Sequence, residues 1–146
     1  MIALLDVSVL VALFNGGHKD HDAAHDWFHD SCTDGWASCP LTENGLLRVL
    51  GNPTLRSGYL PLDELLTRLR RFCSSSDHHF WTDSISFRDP DVFDMEKIRG
   101  QRQLTDVYLL GLAAKQNGRF VTFDQRVPLA AVKGARREHL EVIRPA

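Results

Sequence analysis

Cysteine is scarce in this 146-residue chain: Cys32, Cys39 and Cys73 are the only three, an odd number with no CxxC spacing. That excludes a disulfide framework or a thiolate zinc site as the organiser of the fold and points to reduced thiols in a cytoplasmic protein. Long apolar runs are lacking too; nothing approaches the roughly 20 residues that span a bilayer. The opening stretch, MIALLDVSVLVALF, is interrupted by Asp6. It has neither a basic leading segment nor a small-residue cleavage site, so it reads as part of the fold and not as a signal peptide. Charge of one sign is also missing: 17 Lys and Arg stand against 19 Asp and Glu, a net −2 with histidine neutral. Any affinity for nucleic acid must then come from a local basic patch. There are no internal repeats, low-complexity tracts or linkers, so residues 1–146 are expected to form one domain.

What is present is an alternation of short apolar strands and amphipathic helices. Ile2–Leu5 is wholly apolar and stops at Asp6, the pattern of a strand covered on both faces. Helix-compatible sequence runs from Val7 to Phe14 and breaks at Asn15-Gly16-Gly17. His18–Ser31 reads as a helix with Ala24, Trp27 and Phe28 on its buried side. Trp36–Ser38 is a short strand, and Pro40 suits the first turn of a helix carrying Glu43, Leu46, Leu47 and Leu50. A further helix is expected from Pro61 to Cys73, and a strand over His79–Thr82. Asp83–Arg99 is ambiguous, with a turn at Asp89-Pro90-Asp91 and helical potential from Val92. Thr105 reads as an N-cap, Asp106–Asn117 as a helix and Gly118 as its C′ residue. Arg119–Phe123 is a strand ending at Asp124, and Glu141–Ile143 a last edge strand. The fold class is therefore α/β with a mainly parallel sheet flanked by helices.

Four acids share one address in this scheme. Asp6 and Asp124 end strands, Glu43 lies in the first turn of a helix after a strand, and Asp106 opens a helix. In open α/β sheets ligands bind beyond the carboxyl ends of the strands, where the next helices begin. Carboxylates gathered there would repel one another unless a cation joined them. An all-oxygen set suits Mg²⁺, with Mn²⁺ as a substitute, and such ions serve phosphodiester hydrolysis.

At these residues the chain resembles the PIN-domain family, and within it the VapC toxins of toxin–antitoxin pairs. The matching segments are LLDVSVLVALF (Leu4–Phe14), LTENGLLRVL (Leu41–Leu50), GQRQLTDVYLLGLAAKQNG (Gly100–Gly118) and RFVTFDQRV (Arg119–Val127). The resemblance covers essentially the whole chain. It implies a PIN fold, Mg²⁺- or Mn²⁺-dependent endoribonuclease activity, homodimerisation, and a VapB-like antitoxin that forms a hetero-oligomer with the toxin. It also implies roles. Asp6, Asp106 and Asp124 are metal ligands, and Glu43 is the fourth catalytic acid, placing a second ion or the attacking water. Ser8 and Thr122 are hydroxyls that steady the acids, with Asn44 as a further support. In-line attack of water on RNA phosphorus would leave a 5′ phosphate and a 3′ hydroxyl.

Other features bear on partners. Arg99 and Arg102 precede Asp106 and Arg126 follows Asp124, which makes them candidates for RNA phosphate contacts. Gln101 and Gln103 lie beside them. His18, His21, His25 and His29 share one helical face; i,i+4 histidines can bind Zn²⁺, but without a fixed fourth ligand a solvated polar face is the better reading. Arg68, Arg70 and Arg71 read as a solvated face. Tyr59, Trp81 and Phe87 are expected to pack rather than stack on bases. The first two helices and the Leu60–Leu69 stripe offer a groove for an antitoxin segment, whose basic side chain among the acids would displace the metal. A HAD-like phosphatase is the rival enzyme, since an apolar strand ends in Asp6. That chemistry wants a second Asp two residues on, where this chain has Ser8, and a Lys that is not well placed. A non-catalytic PIN-like module binding RNA or protein remains open.

Overall fold

The computed structural model describes residues 1–145. In chain order they form β1 (Ala3–Leu5), α1 (Val7–Phe14), α2 (His21–Ser31), β2 (Trp36–Ser38), α3 (Pro40–Leu50), α4 (Leu62–Ser75), β3 (His78–Phe80), α5 (Leu104–Lys115), β4 (Arg119–Thr122) and β5 (Leu140–Val142). The strands make one sheet in the order β3-β2-β1-β4-β5, parallel at every pairing. The expected α/β architecture is present. No helix among the described residues is long and apolar enough to cross a membrane.

Strands of three or four residues are too short to hold a sheet by their ladders alone; the side chains above and below do so. Alternation along each strand sorts them into two layers. Ala3, Leu5, Trp36 and Val121 face a core built with α1, α2, α3 and α4. Leu4, Ala37 and Phe120 face the other, built on α5 with Trp81, Phe93, Ala131 and Val132. Full burial of each large apolar side chain contributes about 1.5–3 kcal/mol. Because β1 is covered on both faces, its sequence carries no polar–apolar rhythm, which is why Ile2–Leu5 reads as a continuous run.

Several boundaries shift from the expected ones. α2 starts at His21, not His18, because residues 16–20 are consumed in a tight connection pinned by Asn15. Its Oδ1 accepts from Gly17 N at 3.0 Å and its Nδ2 donates to Ser57 O at 3.3 Å. α4 runs on to Ser75, β3 begins at His78, β4 stops at Thr122 and β5 spans Leu140–Val142. Residues 83–99 are mostly turn, with one 3₁₀ turn at Met95–Lys97. α5 opens at Leu104 out of a preceding 3₁₀ turn, so Thr105 lies inside the helix and caps nothing. At its other end Asn117, with φ 54°, takes the left-handed position expected of Gly118. Asn117 N bonds Ala114 O and Gly118 N bonds Ala113 O, a Schellman closure one residue earlier than expected.

The histidine face of α2 has a structural task. A helix leaves its last carbonyls without intrahelical donors. At the end of α1, His21 Nδ1 donates to Ala12 O at 2.7 Å, His25 Nε2 to Leu13 O at 3.2 Å and an Arg68 guanidinium nitrogen to Phe14 O at 2.8 Å. A carbonyl only accepts, so both ring nitrogens carry hydrogen here. His21, His25 and Arg68 are thus tied to α1 instead of lying free on solvated faces. Trp81 is buried, and Phe87 stacks on Phe93 with 4.7 Å between centroids.

Candidate active site

The strand order reverses between β1 and β4: the chain builds outward from β1 through β2 to β3, then crosses to the far side of β1 for β4. The crevice beyond the carboxyl ends at such a switch is where α/β sheets bind ligands. Asp6 follows β1 directly and Asp124 follows β4 by two residues, so both lie at this point. α5 covers the Leu4/Phe120 face of the sheet, and its first turn presents Asp106 to the same crevice.

Asp6 is buried, with 8% of its surface exposed. It occupies the N-cap position of α1, yet its carboxylate makes no side-chain capping bond to that helix. Instead Oδ2 accepts from Thr122 Oγ1 at 2.6 Å and from Ser8 Oγ at 2.9 Å. Thr122 shares the sheet face of Phe120 and is fully buried, so its hydroxyl is held in place. It also accepts from Asp124 N at 3.1 Å, joining the two acidic segments through one hydroxyl. Burial raises the Asp6 pKa above its ordinary value; the bonds from Thr122, Ser8 and the Val7 backbone oppose this, and the charge of Asp124 adds to it. Asp106 is pushed up to about 7, first by burial and then by the negative charges of Asp6 and Asp124. Carboxylates driven toward protonation by burial, and further by one another's charge, mark a place short of positive charge.

Arg126 supplies only part of that charge, its Nε standing 3.5 Å from Asp124 Oδ1 with 87% of its side chain exposed. Its backbone N donates to the same oxygen at 2.8 Å. Arg99, Arg102 and Arg126 line one cavity of about 300 Å³ together with Asp124, Gln101 and Gln103. Gln103 bridges the two loops that form it: Oε1 accepts from Arg99 N at 2.9 Å and Nε2 donates to Arg126 O at 3.3 Å.

Glu43 lies in the first turn of α3, which follows β2. Its Oε2 accepts from Ser38 Oγ at 2.6 Å, and its charge acts on His78 and Cys73. Ser38 points to the Trp36 face of β2, toward α1–α4, whereas Asp106 comes from α5 on the opposite face. β2 also lies on the other side of β1 from β4. Asn44, beside Glu43 in sequence, lines the apolar crevice between α3 and α4 with Leu47, Leu62 and Leu66. Ser38, which bonds Glu43, and His78, which bonds Ser38, are the residues that reading the sequence missed. Ser38 is marked only by its place at the end of β2, and nothing in the sequence joins it to His78, 40 residues later.

The donor set suits a hard divalent cation: oxygen ligands only, with a local excess of negative charge. No three His, Cys, Asp or Glu side chains among the described residues already stand together as a metal cage. Mg²⁺ does not require one, since it commonly binds one or two carboxylates and keeps several waters. The position two residues after Asp6, where a phosphatase acid would stand, is Ser8, and its hydroxyl is bound to Asp6.

Comparisons with known proteins identify the family. The family model described as PIN domain matches residues 3–134. Ribonuclease VapC44 of Mycobacterium tuberculosis is 41% identical over 143 residues, covering 98% of this chain and 100% of that protein. Ribonuclease VapC39 of the same organism is 35% identical over 92% of this chain and 96% of its own length, and Ribonuclease VapC38 is 40% identical over 86% and 87%. An acidic crevice at the switch point of a parallel sheet and likeness along nearly the whole sequence lead to one assignment: the chain belongs to the PIN-domain family, in its VapC branch.

Proposed function

We propose that this chain is the toxin of a toxin–antitoxin pair, an endoribonuclease that hydrolyses RNA phosphodiester bonds with Mg²⁺, or Mn²⁺ in its place, held by Asp6, Asp106 and Asp124. The observation that carries the reading is the gathering of these three aspartates at the β1/β4 switch point, where burial first and then the charges of Asp6 and Asp124 raise Asp106 to about 7. A bound divalent cation would polarise the phosphoryl group and lower the pKa of a coordinated water. Ser8 and Thr122 fix the Asp6 carboxylate through its Oδ2. Arg99, Arg102 and Arg126 offer donors to RNA phosphates beside Asp124 and set the strand across the crevice. Glu43 acts from the β2 side, with Oε2 anchored by Ser38.

Inhibition by a VapB-like antitoxin follows from the same charge: a basic side chain placed among the aspartates supplies what the metal supplies and displaces it. The cavity of about 490 Å³ lined by Phe14, His21, His25, Arg68 and Phe72 lies where α1, α2 and α4 meet and suits an antitoxin segment. We assign a homodimer as the free form and a hetero-oligomer as the inhibited one.

The test is cleavage of a mixed-sequence RNA by purified wild type and Asp6→Ala, each with Mg²⁺ and with EDTA. Cutting by wild type in Mg²⁺ alone, leaving 5′-phosphate ends, is the expected result. Cutting that persists in EDTA or in Asp6→Ala rejects the metal-site assignment. RNA binding without cutting by wild type favours a non-catalytic module.

A further inference from the structure

We infer that Ser38 and His78 are positioning residues for Glu43, forming a three-residue hydrogen-bond relay that runs from β3 through β2 to α3. This rests on the reading of Glu43 as an acid of the proposed reaction. Ser38 Oγ lies 2.6 Å from Glu43 Oε2 and 2.7 Å from His78 Nε2. Ser38 is fully buried, so its hydroxyl has no water to turn to. It owns one hydrogen. A carboxylate only accepts, so that hydrogen goes to Glu43, and His78 Nε2 must then carry the hydrogen that fills the remaining Ser38 lone pair. The direction of the relay is fixed: His78 Nε2–H donates to Ser38, and Ser38 O–H donates to Glu43.

The imidazole is itself held. Its ring packs on Trp36 with 4.5 Å between centroids, and Trp36 Nε1 donates to Ser76 Oγ at 2.9 Å. His78 and Trp36 are register partners in the β2–β3 pairing, which puts both on the sheet face that Ser38 shares. Burial keeps the His78 pKa below its usual value, which favours the neutral ring with a single hydrogen. Glu43 receives its bond on Oε2 alone among the described residues, which leaves Oε1 for a water, an ion or substrate. A relay that fixes one carboxylate oxygen sets the direction of the other.

The experiment compares full-length wild type, His78→Leu, His78→Gln, Glu43→Gln and the double variant His78→Leu/Glu43→Gln. Two readouts are taken. In the first, imidazole ¹⁵N resonances in EDTA report the His78 tautomer. The expected result is a proton on Nε2 in wild type and a shifted His78 resonance in Glu43→Gln; protonation on Nδ1, or no response to Glu43→Gln, overturns the relay. In the second, RNA cleavage with Mg²⁺ is expected to show a fall in kcat of about tenfold for His78→Leu with KM within twofold. His78→Gln, whose amide N–H replaces Nε2–H, restores most of it, and the double variant is no slower than Glu43→Gln alone. Losses that multiply in the double variant, or a His78→Gln as slow as His78→Leu, overturn the positioning role. A wild type that cuts no RNA refutes the proposed function, and the resonances still decide the relay.

Discussion

Asp106 carries the most exposed consequence of the site's charge. Its carboxyl is raised to about 7 in the fold against 3.8 as the ordinary value, with burial as the first cause and Asp6 and Asp124 next. The folded chain therefore keeps a proton that the unfolded chain has lost between these pH values, so metal-free stability falls as pH rises from about 4 to 7 and stays at the lower level above. The whole shift would be worth about 4 kcal/mol, and screening at a part-exposed carboxyl reduces this to about 1–2 kcal/mol. Asp106→Asn removes the charge while keeping the shape. In EDTA at pH 8 it should unfold about 1–2 kcal/mol later than wild type, visible in urea titrations, and the gap should close at pH 4. Its RNA cleavage should be lost. A variant no more stable than wild type at pH 8 would mean that neither burial nor its acidic neighbours raise Asp106 in the fold. The address of Asp106 was legible, because a helix start after a turn is a sequence-level feature. The partner of Glu43 was not: it depends on which face of β2 Ser38 occupies, and a strand buried on both faces has no rhythm from which to read that.

The elements were easiest to read where a backbone rule acts locally. Pro40 opens α3 at its first turn as expected, and Asp6 stops β1. Where tertiary contacts set the boundary, the sequence misleads. α5 takes Leu104 as its first residue because a 3₁₀ turn feeds straight into it, leaving Thr105 no capping role. At the other end Gly118 is needed for space and not for conformation, since the positive φ belongs to Asn117. A Cβ on Gly118 would stand 2.6 Å from Ile2 O and 2.7 Å from the Trp81 ring. Ile2 O also accepts from Arg119 N at 3.0 Å, at the start of the β1–β4 pairing. Gly118→Ala must therefore push apart the strands that carry Asp6 and Asp124. We expect a loss of about 1–3 kcal/mol, the range of overpacking at a tight core position. In thermal denaturation this is roughly 2–9 °C at this chain length. Asn117→Ala, which forces a Cβ-bearing residue without a helpful amide into the left-handed region, should cost less.

Across the whole molecule, charge is close to balanced at −2, so attraction for RNA cannot be a property of the surface at large. The fold concentrates it: Arg99, Arg102 and Arg126 arrive from the loop before α5 and the loop after β4 and meet in one cavity against Asp124. Two lysines elsewhere serve as a control. Lys115 Nζ donates to Ser84 O at 3.1 Å and Lys133 Nζ to Pro90 O at 2.7 Å, both beside a separate cavity between α5 and the 83–92 loop. A phosphate contact releases counterions, so the logarithm of affinity falls with the logarithm of salt by about 0.7 per contact on single strands. Anisotropy of a labelled single-stranded RNA in EDTA measures this without cleavage. Arg99→Ala/Arg102→Ala/Arg126→Ala should weaken binding and flatten the salt slope by about 2, and in Mg²⁺ it should raise KM. Lys115→Ala/Lys133→Ala makes the chain more negative as well but should leave the slope near that of wild type. Equal flattening in both would show that net charge and not the arginine cavity governs RNA binding, and an unchanged slope in the arginine variant would move the RNA path away from Asp124.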